Sequence, residues 1–296
     1  MKILVVLLHG IGDSLMAVPA LHLLKEKHPG SLLSVMTINH LLFKELWKYN
    51  KDVDQVLFSS LKHNPRYGHP LFWLGEYWTI KKDIKKAVAQ YNFDQVYFVK
   101  MFVTPAKVYA HLPLKRYQEH KSVIIGRELG IEMIPKQSSL AYGEEDTKWA
   151  QQYVKQNKLD SSILVGMHAT GSSTNKSLPK EDVEKAIEML TSLGYQVVLF
   201  DSPQSAERSG IPAKAVHYIS DSILHSAALI DRCAFLVCVD SVVGHVAAAL
   251  DKPLFSIYFK KIWMQNSLAL GKHTVPYWYH GQENFLQHLH QFIQRL

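Results

Sequence analysis

The sequence predicts an α/β protein with two open, mainly parallel sheets in series, and three observations lead to this class. Strand and helix patterns alternate along the whole chain, as expected when helices connect parallel strands. The first strand, Ile3–Leu8, is apolar at every position, which is typical of a parallel strand covered on both faces. The length of 296 residues is sufficient for two cores of ordinary size.

The first domain is expected to span residues 1–150. After the opening strand, apolar residues at three- and four-residue spacing predict a helix (Leu15, Val18, Leu21 and Leu24). The further elements are predicted as strands near Leu32–Thr37, Gln55–Phe58 and Gln95–Val99, and helices near Leu41–Tyr49, Ile80–Tyr91 and Val123–Gly130. The polar, helix-prone stretch Asp146–Lys158 is interrupted by a turn signal at Asp160, so the domain boundary is expected close to it.

The second domain, residues 151–280, repeats the alternation. It is predicted to contain strands at Ile163–Met167, Gln196–Phe200, Val216–Ile219, Phe235–Val239 and Leu254–Tyr258, and helices near Lys180–Leu193, Ile223–Asp231 and Gly244–Leu250. A final helix over 281–296 carries apolar Phe285, Leu289, Phe292 and Leu296 at helical spacing. Two open sheets in series imply a cleft between them, which is a natural place for a reaction of two substrates.

Composition excludes several classes of protein. A hydrophobic content of 47% with 20% charged residues indicates a globular chain. The two cysteines, Cys233 and Cys238, lie in an apolar stretch and indicate core thiols of a reduced compartment. No apolar run approaches the ~20 residues of a membrane helix, and the opening apolar stretch is too short for a signal peptide. We therefore expect a cytoplasmic protein, and the scattered histidines predict no metal site and no cofactor.

The positive charge is concentrated in the first half of the chain. Residues 1–150 hold 20 Lys and Arg against 14 Asp and Glu, a net of +6, whereas the remainder holds 13 against 12, a net of +1. This asymmetry favours an acidic partner for the first domain, such as a phosphorylated substrate or an anionic lipid surface. No nucleic-acid-binding motif accompanies the charge, so we expect no nucleic-acid partner.

Asp13 is the first candidate for chemistry. It follows a turn containing Gly10 and Gly12, at the end of the first strand and the start of a helix. The carboxyl ends of strands are where open α/β sheets bind ligands. The competing interpretation is an N-cap, which is worth about 1 kcal/mol. On this segment alone the two interpretations are even.

A dinucleotide-binding turn is disfavoured. Such a turn requires a third small residue, but Leu15 occupies that position. The second strand ends near Asn39 without the carboxylate that would bind a ribose. A dehydrogenase is therefore an unfavoured alternative.

Two polar segments follow strands of the second domain. The loop at 168–179 contains Thr170, Ser172 and Lys176, which could hold an anionic oxygen, although composition alone favours an ordinary surface loop. Asp240 and Ser241 lead from a buried strand into a helix that contains His245. Backbone N–H groups at that helix start could receive a diphosphate, and the competing interpretation is a cap with an incidental histidine.

Together, in this order, these segments resemble glycosyltransferase family nine, the bacterial lipopolysaccharide heptosyltransferases and their relatives. The resemblance rests on Ile11-Gly12-Asp13-Ser14 with Pro19-Ala20-Leu21, on Lys176-Ser177-Leu178-Pro179, and on Val239-Asp240-Ser241 with His245 to Pro253. It extends over nearly the whole chain.

The resemblance implies a GT-B architecture, in which two Rossmann-like domains face each other across a central cleft. It implies that residues 1–150 bind the acceptor, that residues 151–280 bind the nucleotide sugar, and that the helix at 281–296 crosses back to the first domain. It further implies that Asp13 is the general base, that Lys176 binds phosphate, and that the turn from Asp240 to His245 receives the diphosphate.

The chain departs from the family pattern at three positions. Val242 stands where glycine is common, and Leu178 stands where tryptophan usually precedes the motif proline. After Tyr258 the family often continues with glycine and proline, whereas this chain has Phe259-Lys260-Lys261-Ile262-Trp263. These positions bear on how the donor phosphates are bound.

Lys81 and Lys82 are further candidates for acceptor binding, together with Gly12 and Asp13. They lie in a segment, 71–86, that mixes aromatic residues with four lysines. Such a segment could bind a phosphorylated glycolipid or contact the anionic inner-membrane surface. The competing interpretation is a helix with a solvated basic face.

The sequence therefore predicts an inverting glycosyltransferase that moves heptose from ADP-heptose to a hydroxyl of a lipopolysaccharide core saccharide. Asp13 would accept the proton of that hydroxyl, while Lys176, Thr170, Ser172, Asp240, Ser241 and His245 would bind the donor without a metal. Two alternatives share this design: a non-hydrolysing nucleotide-sugar epimerase and a non-catalytic nucleotide-sugar-binding protein.

Overall fold

The chain forms two compact units, Met1–Lys136 and Gln137–Leu296. The computed structural model describes residues 1–61, 70–99, 119–171, 173–201, 216–219 and 222–296, and for 70–74, 216, 217 and 219 it describes the backbone alone. Each unit contains one parallel sheet with helices, which confirms the predicted α/β class. The cleft predicted between the two sheets stays a prediction.

The first unit contains a four-stranded sheet in the order β3-β2-β1-β4, and all of its pairings are parallel. Its strands are β1 (Lys2–Val6), β2 (Leu32–Ile38), β3 (Gln55–Ser59) and β4 (Gln95–Phe98). Its helices are α1 (Ile11–Lys27), α2 (Leu41–Lys48), α3 (Pro70–Tyr91) and α4 (Lys121–Glu128). The chain therefore places later strands on both sides of β1.

The second unit contains a six-stranded parallel sheet in the order β10-β9-β8-β5-β6-β7. Its strands are β5 (Leu164–His168), β6 (Gln196–Asp201), β7 (Val216–Ile219), β8 (Phe235–Val239), β9 (Leu254–Tyr258) and β10 (Thr274–Trp278). Its helices are α5 (Glu144–Gln156), α6 (Lys180–Ser192), α7 (Ile223–Asp231), α8 (Val242–Ala249), α9 (Lys261–Asn266) and α10 (Gln282–Ile293).

In each sheet, the order of the strands reverses direction at one point. From β1 the chain moves outward through β2 to β3 and then returns to the other side of β1 as β4; likewise it moves from β5 through β6 to β7 and returns to the other side of β5 as β8. Open α/β sheets bind ligands at such reversal points, outside the carboxyl ends of the strands. The segments that follow β1, β5 and β8 are therefore the places to look for a site.

The sheet cores explain why the central strands were recognisable in the sequence. Ile3, Leu4, Val5 and Val6 of β1 are fully buried, and so is the whole of β8. Strands with both faces covered need apolar side chains on both faces, which produces continuous apolar runs. The core of the second unit also includes Phe285, Leu289 and Phe292 of α10.

Several elements differ from the sequence-based expectations. The units separate after Lys136, earlier than the expected boundary near 150, and α5 packs on α7 in the second unit. Helix α9 and strand β10 were not predicted. Pro276 lies within β10, and proline is tolerated there because β10 is an edge strand. The predicted crossing of the last helix to the first domain stays a prediction.

Within the part of the chain that the structure describes, no helix is both long and apolar enough to span a bilayer.

Candidate functional site

Asp13 lies in the first turn of α1, directly outside the carboxyl end of β1. The helix begins at Ile11, and Gly10 occupies the N-cap position. Asp13 is therefore not the N-cap residue that the competing interpretation predicted. A carboxylate in the first turn is favoured by the helix dipole. Gly12 occupies the second helical position. The sequence-based prediction that Asp13 follows a strand and opens a helix is therefore accurate to within two residues.

Lys121 is the partner of Asp13 that the sequence did not reveal. Its Nζ lies 2.8 Å from Asp13 Oδ1, and each side chain is 20% exposed. Lys121 is the first residue of α4, which packs on α1. The dipole of α4 disfavours an ammonium at its N-terminus, and the ion pair with Asp13 offsets this cost. No sequence signal near Lys121 could have identified it.

His9 lies beside this pair and is buried. Its Nε2 is 3.0 Å from the carbonyl oxygen of Val99, to which it can donate a hydrogen bond. Burial lowers the pKa of His9, although the nearby Asp13 carboxylate opposes this shift. Because the lowered pKa keeps His9 neutral at pH 7, Lys121 and not His9 supplies the positive charge beside Asp13.

Lys81 and Lys82 lie on the exposed face of α3. The opposite face of this helix contributes Ile80 and Ala87 to the core of the first unit. Lys81 Nζ lies 4.8 Å from the ring centroid of Tyr77, and the neighbouring Trp78 is 64% exposed. The structure records no contact between these lysines and Asp13 among the residues it describes.

The loop after β5 is held in a fixed shape by its own hydrogen bonds. The N–H of Gly171 donates to Ser177 Oγ at 3.1 Å, and the N–H of Leu178 donates to the Ala169 carbonyl at 2.9 Å. A Cβ on Gly171 would lie 2.5 Å from both Cβ and the carbonyl oxygen of Lys176. Only glycine allows this approach, which fixes the backbone from which the Lys176 side chain extends.

Lys176 and Asp240 form the centre of the candidate site in the second unit. Lys176 Nζ donates to Asp240 Oδ2 at 2.6 Å, and the Asp240 side chain is only 6% exposed. The two residues follow β5 and β8, which are neighbouring strands at the reversal point of the sheet. The structure therefore brings together two predicted donor-binding residues that are 64 positions apart.

Trp263 contacts the same lysine. Lys176 Nζ lies 4.6 Å from the centroid of the Trp263 ring, and Lys260 Nζ lies 4.9 Å from it. Trp263 belongs to α9, which follows β9, the next strand of the sheet. The sequence indicated only that 259–263 departs from the family pattern. A tryptophan preceded by two lysines, just after a buried strand, was the available signal.

The other described donor candidates lie in the same two segments, after β5 and after β8. Thr170 Oγ1 donates to Asp201 Oδ1 at 3.2 Å, across the ends of β5 and β6. Ser241 is the N-cap of α8, and its hydroxyl oxygen is buried with no hydrogen-bond partner among the described residues. His245 is buried one turn into that helix. Ser172 lies outside the described residues.

The described residues contain no group of three or more His, Cys, Asp and Glu side chains that could hold a metal ion. The two cysteines are free and buried. Burial raises the pKa of Cys233 to about 12 and also raises that of Cys238. Thiols with such pKa values are protonated at neutral pH and are poor nucleophiles.

Comparisons with known proteins identify sequence relatives of this chain. The family model for Glycosyltransferase family 9 (heptosyltransferase) matches residues 116–261. Lipopolysaccharide heptosyltransferase 3 of Escherichia coli (strain K12) is 23% identical over 210 residues. That match covers 65% of this chain and 61% of the relative, so it spans less than two thirds of the relative's length.

Two solved structures share the fold. The ADP-heptose lipopolysaccharide heptosyltransferase II of E. coli superposes with a TM-score of 0.74 at 16% identity, covering 100% of this chain and 99% of that one. The E. coli heptosyltransferase WaaC, solved with ADP, superposes with a TM-score of 0.65 at 19% identity, with the same coverage.

The two parallel sheets and these superpositions identify the fold as GT-B. The family resemblance seen in the sequence motifs is confirmed: the model of glycosyltransferase family 9 matches residues 116–261, and the chain is similar to a lipopolysaccharide heptosyltransferase.

Proposed function

We propose that this protein is an inverting glycosyltransferase that moves heptose from ADP-heptose to a hydroxyl of a lipopolysaccharide core saccharide. The observation that carries the proposal is the placement of Lys176 beside Asp240 at the reversal point of the second sheet. An ammonium group there can bind the diphosphate of a nucleotide sugar. The heptosyltransferase structures similar to this chain, one of them solved with ADP, support this donor.

The proposed reaction is a single displacement at the anomeric carbon of the donor. The acceptor hydroxyl oxygen forms a bond to that carbon and transfers its proton to the Asp13 carboxylate. The bond between the anomeric carbon and the diphosphate oxygen breaks, and the diphosphate departs with the bonding electrons. One displacement inverts the anomeric configuration.

Lys176 and the N-terminus of α8 stabilise the charge that develops on the departing diphosphate. Asp240 accepts a hydrogen bond from the Lys176 ammonium, whose other N–H groups remain available for phosphate oxygens. The first N–H groups of α8 have no partner within the helix and can donate to the same anion. Preorganised donors of this kind replace the metal ion that some diphosphate-releasing enzymes use.

The acceptor is proposed to bind the first unit. Its charge and its exposed lysines Lys81 and Lys82 suit a phosphorylated glycolipid. A protein that glycosylates such an acceptor would act in the cytoplasm, in peripheral contact with the anionic inner-membrane surface.

The proposal is tested by incubating the protein with isotope-labelled ADP-heptose and a truncated core acceptor, followed by mass spectrometry. We expect the acceptor to gain one labelled heptose with release of an equal amount of ADP. An epimerase would instead convert the donor into an isomer without acceptor, and a binding protein would leave both unchanged.

The reaction is expected to continue in excess EDTA, because Lys176 and backbone N–H groups are proposed to stabilise the leaving diphosphate. Full loss of activity on chelation, restored by Mg²⁺, would contradict the metal-free mechanism.

Asp13→Asn tests the assignment of the base. A base acts chiefly in the transition state, so we expect turnover to fall roughly 10²- to 10⁴-fold while donor affinity stays within a few-fold of wild type. Steady-state kinetics and calorimetric ADP titration measure the two quantities. A variant that retains most of its turnover would show that Asp13 is not the base.

A further inference from the structure

Lys260 shares one aromatic ring with the lysine of the proposed donor site. Lys176 Nζ and Lys260 Nζ lie 4.6 Å and 4.9 Å from the centroid of Trp263. Lys260 is an exposed residue two positions after β9, and Trp263 lies three residues further along, in α9. Both belong to the segment after Tyr258 that departs from the family pattern, so this chain has its own chemistry in that segment.

The local charge at this ring is positive. Asp240 is paired with Lys176, whereas no ion pair of Lys260 with a carboxylate is recorded among the described residues. Two ammonium groups near one ring repel each other, and the indole face, which attracts cations, offsets this repulsion in part. An anion that contacts both ammonium groups would offset it more fully. A diphosphate, which carries charge on two linked phosphate groups, fits that requirement better than a monophosphate.

We propose that Lys260 is a second phosphate-binding residue of the donor site, and that the Trp263 indole positions both Lys176 and Lys260 for a nucleoside diphosphate. This inference rests on the proposed function, because it takes Lys176 as a donor-binding residue.

Lys261 provides a matched control. It is the next residue, it is also exposed, and its Nζ lies 4.7 Å from the centroid of a tryptophan ring. That ring is Trp278, which holds no lysine of the proposed site. Substituting either lysine removes one positive charge from the same stretch of surface, so the difference between them isolates the contribution of an ammonium group placed beside the Trp263 ring.

The experiment is calorimetric titration of ADP, UDP and GDP, with the corresponding monophosphates, into wild type, Lys260→Ala and Lys261→Ala. The loss of one charge-assisted phosphate contact is expected to weaken diphosphate binding by roughly 5- to 20-fold in Lys260→Ala. Monophosphate binding should change by less than about threefold, and Lys261→Ala should stay within about twofold of wild type for every ligand. Raising the salt concentration should reduce the difference between the two variants.

Substitutions of Trp263 separate positioning from charge. Trp263→Leu retains both ammonium groups but removes the ring, and it is expected to weaken diphosphate binding at least as much as Lys260→Ala. Trp263→Phe retains an aromatic face and should restore a large part of the affinity. Lys260→Arg, which retains the charge, should bind diphosphates within about threefold of wild type.

Two outcomes would overturn different statements. If Lys260→Ala and Lys261→Ala bind diphosphates equally well, the role of Lys260 is wrong while the proposed function stands. If wild type binds none of the diphosphates more tightly than its monophosphate, then the donor site of the proposed function is wrong as well.

Discussion

At the scale of single residues, the ion pair of Asp13 and Lys121 is the feature of the first unit that bears on the proposed reaction. Asp13 is identifiable from the sequence because a strand, a glycine turn and a helix start surround it. Lys121 is 108 positions away and contacts Asp13 at 2.8 Å only because α4 packs on α1. A nearby ammonium favours the ionised carboxylate and restricts its orientation, and both effects suit a general base.

Lys121→Met should lower turnover by about tenfold and move the acidic limb of the pH–rate profile to higher pH. The reason is that a carboxylate without its ammonium neighbour binds a proton more readily. Lys121→Arg, which retains the charge, should restore the profile. Arg127→Gln is the control. Arg127 lies in the same helix as Lys121, and its ion pair is with Glu119, so this substitution removes a positive charge from α4 and leaves the Asp13–Lys121 pair in place. An unchanged pH profile in Lys121→Met would rule out this positioning role.

At the scale of elements, β1 and β5 share an arrangement. A histidine lies near the carboxyl end of each strand, and its ring nitrogen is hydrogen bonded to a carbonyl oxygen in or directly after a neighbouring strand: His9 to Val99, and His168 to Phe200. Desolvation lowers the pKa of both imidazoles below the ordinary value of 6.5. Both histidines are therefore neutral in the folded protein at pH 7.

The lowered pKa values predict a loss of stability on acidification. The unfolded chain binds protons at these histidines near pH 6.5, whereas the folded protein binds them only at lower pH. The free energy of unfolding should therefore fall below pH 6.5, by up to about 1.4 kcal/mol per histidine for each pH unit until the folded pKa is reached.

Urea unfolding of wild type at pH 7, 6 and 5 measures this loss, with His9→Gln and His168→Asn as comparison variants. These amides can donate from positions similar to Nε2 and Nδ1 but do not titrate. Each variant should show a weaker pH dependence than wild type. Equal pH dependence in all three proteins would show that the histidines do not contribute to it.

At the scale of the whole molecule, charge is divided between the two halves of the chain. The net charge of +6 on residues 1–150 includes the exposed lysines of α3, next to the exposed Trp78. An exposed basic helix face with an aromatic residue suits an anionic membrane surface, where each lysine contributes about 1 kcal/mol. The second half, with a net of +1, contains the proposed donor site.

Lys81→Ala and Lys176→Ala should therefore affect different measurements. Lys81→Ala should weaken co-sedimentation with anionic vesicles by roughly fivefold at low salt and leave ADP affinity unchanged. Lys176→Ala should weaken ADP binding and turnover and leave vesicle binding unchanged. Vesicles of zwitterionic lipid alone are the control and should bind neither variant. If Lys81→Ala instead weakens ADP binding, the division of labour between the two units is wrong.

The sequence by itself determined the α/β class, most of the strands and helices, and the identity of Asp13, Lys176 and Asp240 as candidates. These features depend on local patterns: apolar runs for buried strands, helical spacing for amphipathic helices, and small or polar residues where strands end. They also depend on the order of the motifs, which carries the family resemblance. The local patterns are properties of neighbouring positions, and the order of the motifs is a property of the linear chain, so neither depends on how the chain folds.

Only the tertiary structure decided which of these residues meet. Strand order brings Lys176 to Asp240 across 64 positions, and helix packing brings Lys121 to Asp13. Trp263 and β10 were likewise unrecognised, because a ring over a lysine and an edge strand containing Pro276 depend on what lies beside them. The physical reason is that the contacts of a charged or aromatic side chain are set by the packing of distant segments, about which the local pattern carries no information.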